Sequence, residues 1–275
     1  MRSAFSPLEG WIDAGYVAGS ARQLLLDRLT TEPVARFDAD DLLDHRARRP
    51  VMHLVDGVNT GLTWPSIELS AATDLAGNDL LVLHGAEPDH SWRAFTSAVV
   101  DLALGLEVRL IVGLGAYPAP TPHTRPTMLS VTAGTDELAE TSELLRGTLD
   151  VPAGVQAAIE HHATEVGIPT LGLWAQVPHY AAGMSYPAGV LALLEQVQRV
   201  SGLTLPEDGL AEEALASRNR LDSIIAGNPE HQDMVSALER EVDAQAPVGP
   251  PANLPTGDEL AAEVERFLRD QSSGE

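Results

Sequence analysis

Residues 108–126 constrain this chain more than any other stretch. An apolar run, Val108 to Val112, has strand composition and emerges from a buried sheet at Gly113-Leu-Gly115. The loop that follows carries prolines at 118, 120, 122 and 126, which fix φ, remove backbone donors and push their predecessors toward extended geometry. His123 and Arg125 are thereby held just past a strand end. Trp174-Ala-Gln-Val-Pro-His-Tyr180 repeats the arrangement after the apolar Thr170 to Leu173, now with His179 and Tyr180. Two stiff, histidine-bearing loops at strand ends predict a built surface.

Around these loops, β-rich apolar segments alternate with helical patterns. Strands are expected at Leu8 to Ile12, Val34 to Asp38, Val51 to Val55, Leu80 to Leu83, Val108 to Val112, Met128 to Thr132 and Thr170 to Trp174. Helices are expected at Tyr16 to Leu29, His90 to Leu104 with Asp89 as N-cap, Asp136 to Arg146, Val155 to Val166 stopped by Gly167, and Ala188 to Val200. Such alternation predicts a three-layer α/β fold, a mostly parallel sheet with helices on both faces. After Leu205 the pattern turns purely helical, with one stripe through Leu210, Ala214, Leu215, Leu221, Ile224 and Ile225 and another through Met234, Val235, Leu238 and Val242. The expected organisation is an α/β core over 1–204 and appended helices over 205–243. A proline-rich linker with a terminal amphipathic helix then fills 244–275. No internal repeat is visible.

The chain has 275 residues and a net charge of −23, which argues against nucleic acid and against an anionic membrane surface as partners. No apolar run is long enough to span a bilayer, and no secretory h-region precedes the first aspartate, so a cytoplasmic location is expected. There is no cysteine, hence no disulfide or thiolate chemistry. There is also no lysine: every cation is an arginine. Schiff-base chemistry and a phosphate-loop lysine are excluded.

In an open parallel sheet, ligands bind beyond the carboxyl ends of the strands. Four loops in that position carry Asp13, Glu87, Arg93, His123, Arg125, His179 and Tyr180, which can converge on one cleft or cap the sheet and join subunits. Asp13 reads as the anchor of a helix start, and Arg93 as the partner of Glu87 or Asp89. Neither a metal site nor a cofactor site is expected, because the histidines lack ligand spacing and Gly113-Leu-Gly115 lacks a third glycine. Gly183-Met-Ser-Tyr-Pro187 has proline where a nucleophile elbow needs glycine.

Taken in order, Gly10-Trp-Ile-Asp-Ala-Gly15, Gly85-Ala-Glu-Pro88 with Trp92-Arg-Ala-Phe95, Leu114-Gly-Ala-Tyr-Pro118, Pro122-His-Thr-Arg-Pro126 and Trp174 to Tyr180 resemble the proteasome assembly chaperone family, in its actinobacterial branch. The resemblance spans about residues 8 to 243. It implies a phosphorylase/hydrolase-like α/β fold that assembles with copies of itself as a homotrimer. Eukaryotic and archaeal members hold proteasome subunits during ring assembly, so proteasome subunits are the implied partner. The family supplies no catalytic residues to carry over. Archaeal members dock through a tail of hydrophobe, tyrosine and any residue. Gln271-Ser-Ser-Gly-Glu275 has neither hydrophobe nor tyrosine, so docking of that kind is not expected here.

The leading expectation is therefore a non-enzymatic, self-associating protein with an assembly role. The alternative is a phosphorylase-like enzyme or small-ligand binder, with His123 or His179 as acid/base and Arg125 as anion clamp. A third reading makes the His/Arg loops a subunit seam.

Overall fold

The computed structural model describes residues 2–141, 148 and 150–245. In chain order the strands are β1 (Arg2–Ser6), β2 (Thr31–Phe37), β3 (Val51–Val55), β4 (Val58–Thr63), β5 (Ile67–Thr73), β6 (Asp79–Gly85), β7 (Val108–Ala119), β8 (Leu129–Ala133) and β9 (Thr170–Pro178). Helices are α1 (Val17–Arg28), α2 (Ala39–Leu42), α3 (Trp92–Gly105), α4 (Asp136–Thr141), α5 (Val155–Glu165), α6 (Pro187–Ser201), α7 (Leu210–Ala226) and α8 (Pro229–Gln245). Seven strands make one mixed sheet in the order β2-β5-β6-β1-β7-β9-β8, while β3 and β4 form a hairpin of their own. The central four, β6, β1, β7 and β9, are mutually parallel. β5, β2 and β8 run antiparallel to their neighbours at the two edges.

The central strands are apolar on both faces because helices cover both. Leu80, Val82, Val112, Leu114 and Leu173 pack under α1 and α6. The intervening Leu81, Leu83 and Ile111 pack under α3 and α5, against Phe95, Val99, Val155 and Ile159. Period-2 alternation thus feeds two cores from one sheet, giving the three-layer α/β architecture. Each buried leucine or isoleucine contributes on the order of 2 kcal/mol of transfer free energy. Among the described residues, no helix is long and apolar enough to cross a membrane.

Four expected elements differ in the structure, and β4 and β5 are strands with no counterpart in the expectation. The first strand is Arg2–Ser6, not Leu8 to Ile12. Ser3 and Ser6 point inward and make the segment look polar, and residues 8–12 form a loop that bridges the sheet at Glu9–Ala86 and buries Leu8 in the core. β7 runs on to Ala119, because β9 accompanies it in register from Ile111–Thr170 to Ala119–Pro178. Its other neighbour, β1, ends opposite Gly113, so Pro118 lies on a strand with one free edge, where a missing donor is tolerated. Val51 to Val55 is a strand, but outside the sheet. α3 starts from Ser91 in the left-handed region with no side-chain cap, and Asp89 accepts instead from the Asp44 amide.

The stop at Gly167 (φ 87°) is as expected for a helix ending in a left-handed residue. α8 continues through Gln245. The remaining linker and terminal-helix expectation, 246–275, and the end of the helix expected to Arg146, lie outside the described residues.

Candidate functional site

Because β6, β1, β7 and β9 are parallel, the segments that follow them emerge along one edge of the sheet, ordered Glu87, Asp13, His123 and His179. Asp13 anchors α1: its carboxylate oxygens accept from the amides of Ala18 and Gly19, each at 2.9 Å. Gly15 (φ 66°) donates to the Ala182 carbonyl at 2.8 Å and accepts from the Tyr186 amide at 3.0 Å. A Cβ there would lie 2.7 Å from that of Tyr186, so both conformation and space require glycine. These bonds stitch the segment after β1 to the segment after β9.

Glu87 is buried and accepts from the Val155 amide at 2.6 Å, placing a carboxylate on the free N–H groups at the start of α5. Arg93 does not pair with it. Asp89 is taken by Arg48 at 3.4 Å, and Arg93 is exposed with no hydrogen-bond partner among the described residues. The charge-pair reading of Arg93 is therefore corrected: its start-of-helix position points it into solvent.

His123 is the most constrained residue of the edge, with its side chain 1% exposed. Its amide donates to the Tyr180 hydroxyl at 2.9 Å, and its Nδ1 lies 2.8 Å from the same oxygen. Asp222 Oδ1 is an acceptor 3.0 Å from Nε2, so the neutral ring carries its hydrogen on Nε2 and the Tyr180 hydroxyl donates to Nδ1. Burial pushes the Tyr180 pKa up to about 12, so the phenol keeps its proton at neutral pH. The two rings meet edge to face at 5.8 Å, and His179, itself exposed, packs on the other side of Tyr180 at 5.3 Å.

Arg125 faces the C-terminal helices. Its Nε and Nη2 donate in parallel to the two Asp243 carboxylate oxygens, both at 2.7 Å, and Nη1 reaches Glu239 at 3.2 Å. The bond to Asp243 raises the pKa of Arg125 and lowers that of Asp243. Thr124 also donates to Glu239. The Pro-His-Thr-Arg loop is thus a clamp on α7 and α8, with Asp222, Glu239 and Asp243 as its counterparts. Of the groups expected to act as acid/base and anion clamp, His123 and Arg125 are held by hydrogen bonds inside the chain, while His179 is exposed and only packs on Tyr180. The four loops share an edge but not one cleft. His123, Arg125, His179 and Tyr180 gather at β7 and β9, Asp13 holds α1, and Glu87 holds α5.

A second polar cluster lies under α5. Gly113 and Gly172 sit opposite each other on β7 and β9, and their missing side chains leave a notch filled by Gln156 and Glu160. Glu160 accepts from Thr132 at 3.0 Å and from Gln156 at 3.1 Å. Burial pushes its pKa up to about 7 against those two hydrogen bonds. His84 pairs with Ser70 at 2.9 Å on neighbouring strands, and burial lowers its pKa. Among the described residues, no group of three His, Asp or Glu side chains is placed to hold a metal.

The model of the PAC2 family matches residues 8–225, most of the chain. The chain belongs to the PAC2 family. No curated protein matches it. Among solved PAC2-like structures, Mycobacterium tuberculosis Rv2714, of unknown function, is 36% identical with a TM-score of 0.83, over 90% of this chain and 86% of that one. A protein of unknown function from Corynebacterium glutamicum is 31% identical with a TM-score of 0.83, over 89% and 91%. Rv2125 of M. tuberculosis, described as a proteasome-assembly chaperone homologue, is 31% identical with a TM-score of 0.78, over 86% of this chain and all of that one. The PAC2 assignment agrees with the resemblance read from the ordered loop motifs.

Proposed function

We propose that this PAC2 protein is a non-enzymatic, self-associating assembly factor of the proteasome-chaperone type, acting as a homotrimer in the cytoplasm. The observation that carries the reading is the β3–β4 hairpin. Both of its strands are exposed along their whole length, yet Val51, Met52, Leu54, Val55, Val58 and Leu62 are apolar. Trp64 beside it is 53% exposed. A lone two-stranded hairpin is marginal in water, and a ribbon with exposed apolar side chains on both faces, Val51, Val55 and Val58 on one and Met52, Leu54 and Leu62 on the other, is a mark of an interface. A second copy of the chain is the occupant that fits, since a chain of net charge −23 is best joined to its like through uncharged surface. The filled hydrogen bonds of His123 and Arg125 support the non-enzymatic part, and the description of Rv2125 supports the choice of proteasome subunits as partner.

The test has two arms. Leu54→Asp with Val58→Asp is expected to convert the oligomer to a monomer in size-exclusion light scattering while the circular dichroism stays native. Affinity isolation of the wild-type chain from its native cell is expected to enrich proteasome subunits. An oligomer indifferent to both aspartates, or isolation without such enrichment, would contradict the corresponding half of the proposal.

A further inference from the structure

The groove between α6 and α7 borders the clamp, sharing His123, Thr124 and Arg125 with it, and extends beyond it over the two helices. It has a volume of about 440 Å³ and lies beside the His123–Thr127 loop. Its floor is apolar: Ala188, Leu191 and Ala192 recur along one face of α6, and Ala214 and Leu215 face them from α7. Leu215 is 60% exposed, so the floor is open to a ligand.

The two ends of the groove differ in charge, and the helix directions show how. Ser217 donates to the Ser185 carbonyl at 3.3 Å, and Gln198 bonds Glu207, so α7 runs antiparallel to α6. Arg218 therefore sits at the start of α6, and Glu195 about two turns further along. Arg218 makes only a long 3.5 Å hydrogen bond, to the Thr124 carbonyl, and meets no carboxylate among the described residues. Beside it stand the buried Tyr186 hydroxyl and the Thr127 hydroxyl, a buried oxygen without a well-formed hydrogen bond among the described residues. The positive end of the α6 dipole adds to the same field. Arg125 also lines this end, but Asp243 and Glu239 already neutralise it. From Ala188 to Glu195 the helical rise places the acidic end about 10 Å away.

We infer that this groove binds a small monocarboxylate with an unbranched apolar body, its carboxylate on Arg218 and Thr127 and its chain over Leu191, Ala192 and Leu215. The cation selects the anionic head, the alanines admit the chain, and Glu195 rejects a second anion at the far end. The inference is independent of the assembly role and needs no change in it.

Titration calorimetry on the full chain tests it with a set of eight-carbon probes. Octanoate and the matching ω-amino acid are expected to bind, the neutral octanamide to bind about tenfold more weakly than octanoate, and the dicarboxylate suberate likewise about tenfold more weakly. Arg218→Gln is expected to weaken octanoate by about tenfold, the worth of one charge-assisted hydrogen bond. Glu195→Gln is expected to restore suberate while leaving octanoate unchanged. Failure of octanoate to bind, equal binding of octanoate and octanamide, or octanoate affinity unaltered in Arg218→Gln would overturn the proposal. The probe series on wild-type protein decides the matter even where a variant folds poorly.

Discussion

Glu160 carries its carboxyl into the sheet, where Gly113 and Gly172 leave room for it, and burial holds its pKa at about 7 rather than 4.5. The folded state therefore binds this proton more tightly than the unfolded state. Its contribution is complete below pH 4.5, declines as pH rises toward 7, and is absent above it, about 3 kcal/mol in all. Glu160→Gln is expected to flatten the dependence of urea-unfolding free energy on pH across that window and to be more stable than wild type at pH 8. His123→Ala should cost about 2 kcal/mol by the same measurement, because it empties a buried ring site and strips the Tyr180 hydroxyl and the Asp222 carboxylate of a partner. The sequence makes His123 and Arg125 conspicuous through the prolines that hold them. Their counterparts are invisible in it. Asp222, Glu239 and Asp243 lie about a hundred residues away on polar helix faces, in a chain where acids are everywhere.

At the scale of elements, the clamp makes a prediction about α8. Arg125→Ala removes three of the hydrogen bonds that fasten this helix and leaves the core untouched. Amide exchange in residues 229–245 is expected to accelerate while exchange in β1, β7 and β9 stays protected, and unchanged protection in α8 would refute the clamp. Ile159→Ala, by contrast, opens a cavity between α5 and the sheet and should cost about 3 kcal/mol globally. Central strands such as Leu80 to Leu83 are legible because burial on both faces demands unbroken apolar runs. β1 is not legible, since its inward serines mimic a loop. The extension of β7 through Pro118 is not legible either. It depends on where β1 stops, a fact of pairing that no local pattern carries. The same holds for Ile67–Thr73, where Glu68 and Ser70 interrupt the apolar run although Ser70 is buried against His84 on β6.

For the whole molecule, charge and apolar surface pull in opposite directions. A net charge of −23 on each copy opposes association, and salt screens that repulsion, so the oligomer should tighten as ionic strength rises. An interface built on salt bridges would loosen instead. The α/β class and the helical C-terminal region are written in the order of apolar periodicities, and the family in the order of its loop motifs. What each loop does is not, because the bonds that decide it cross between distant segments. The most direct measurement is sedimentation equilibrium of the full-length wild-type chain beside the Leu54→Asp, Val58→Asp variant. Three protomer masses for wild type and one for the variant are predicted. A wild-type chain that sediments at a single protomer mass would contradict the account.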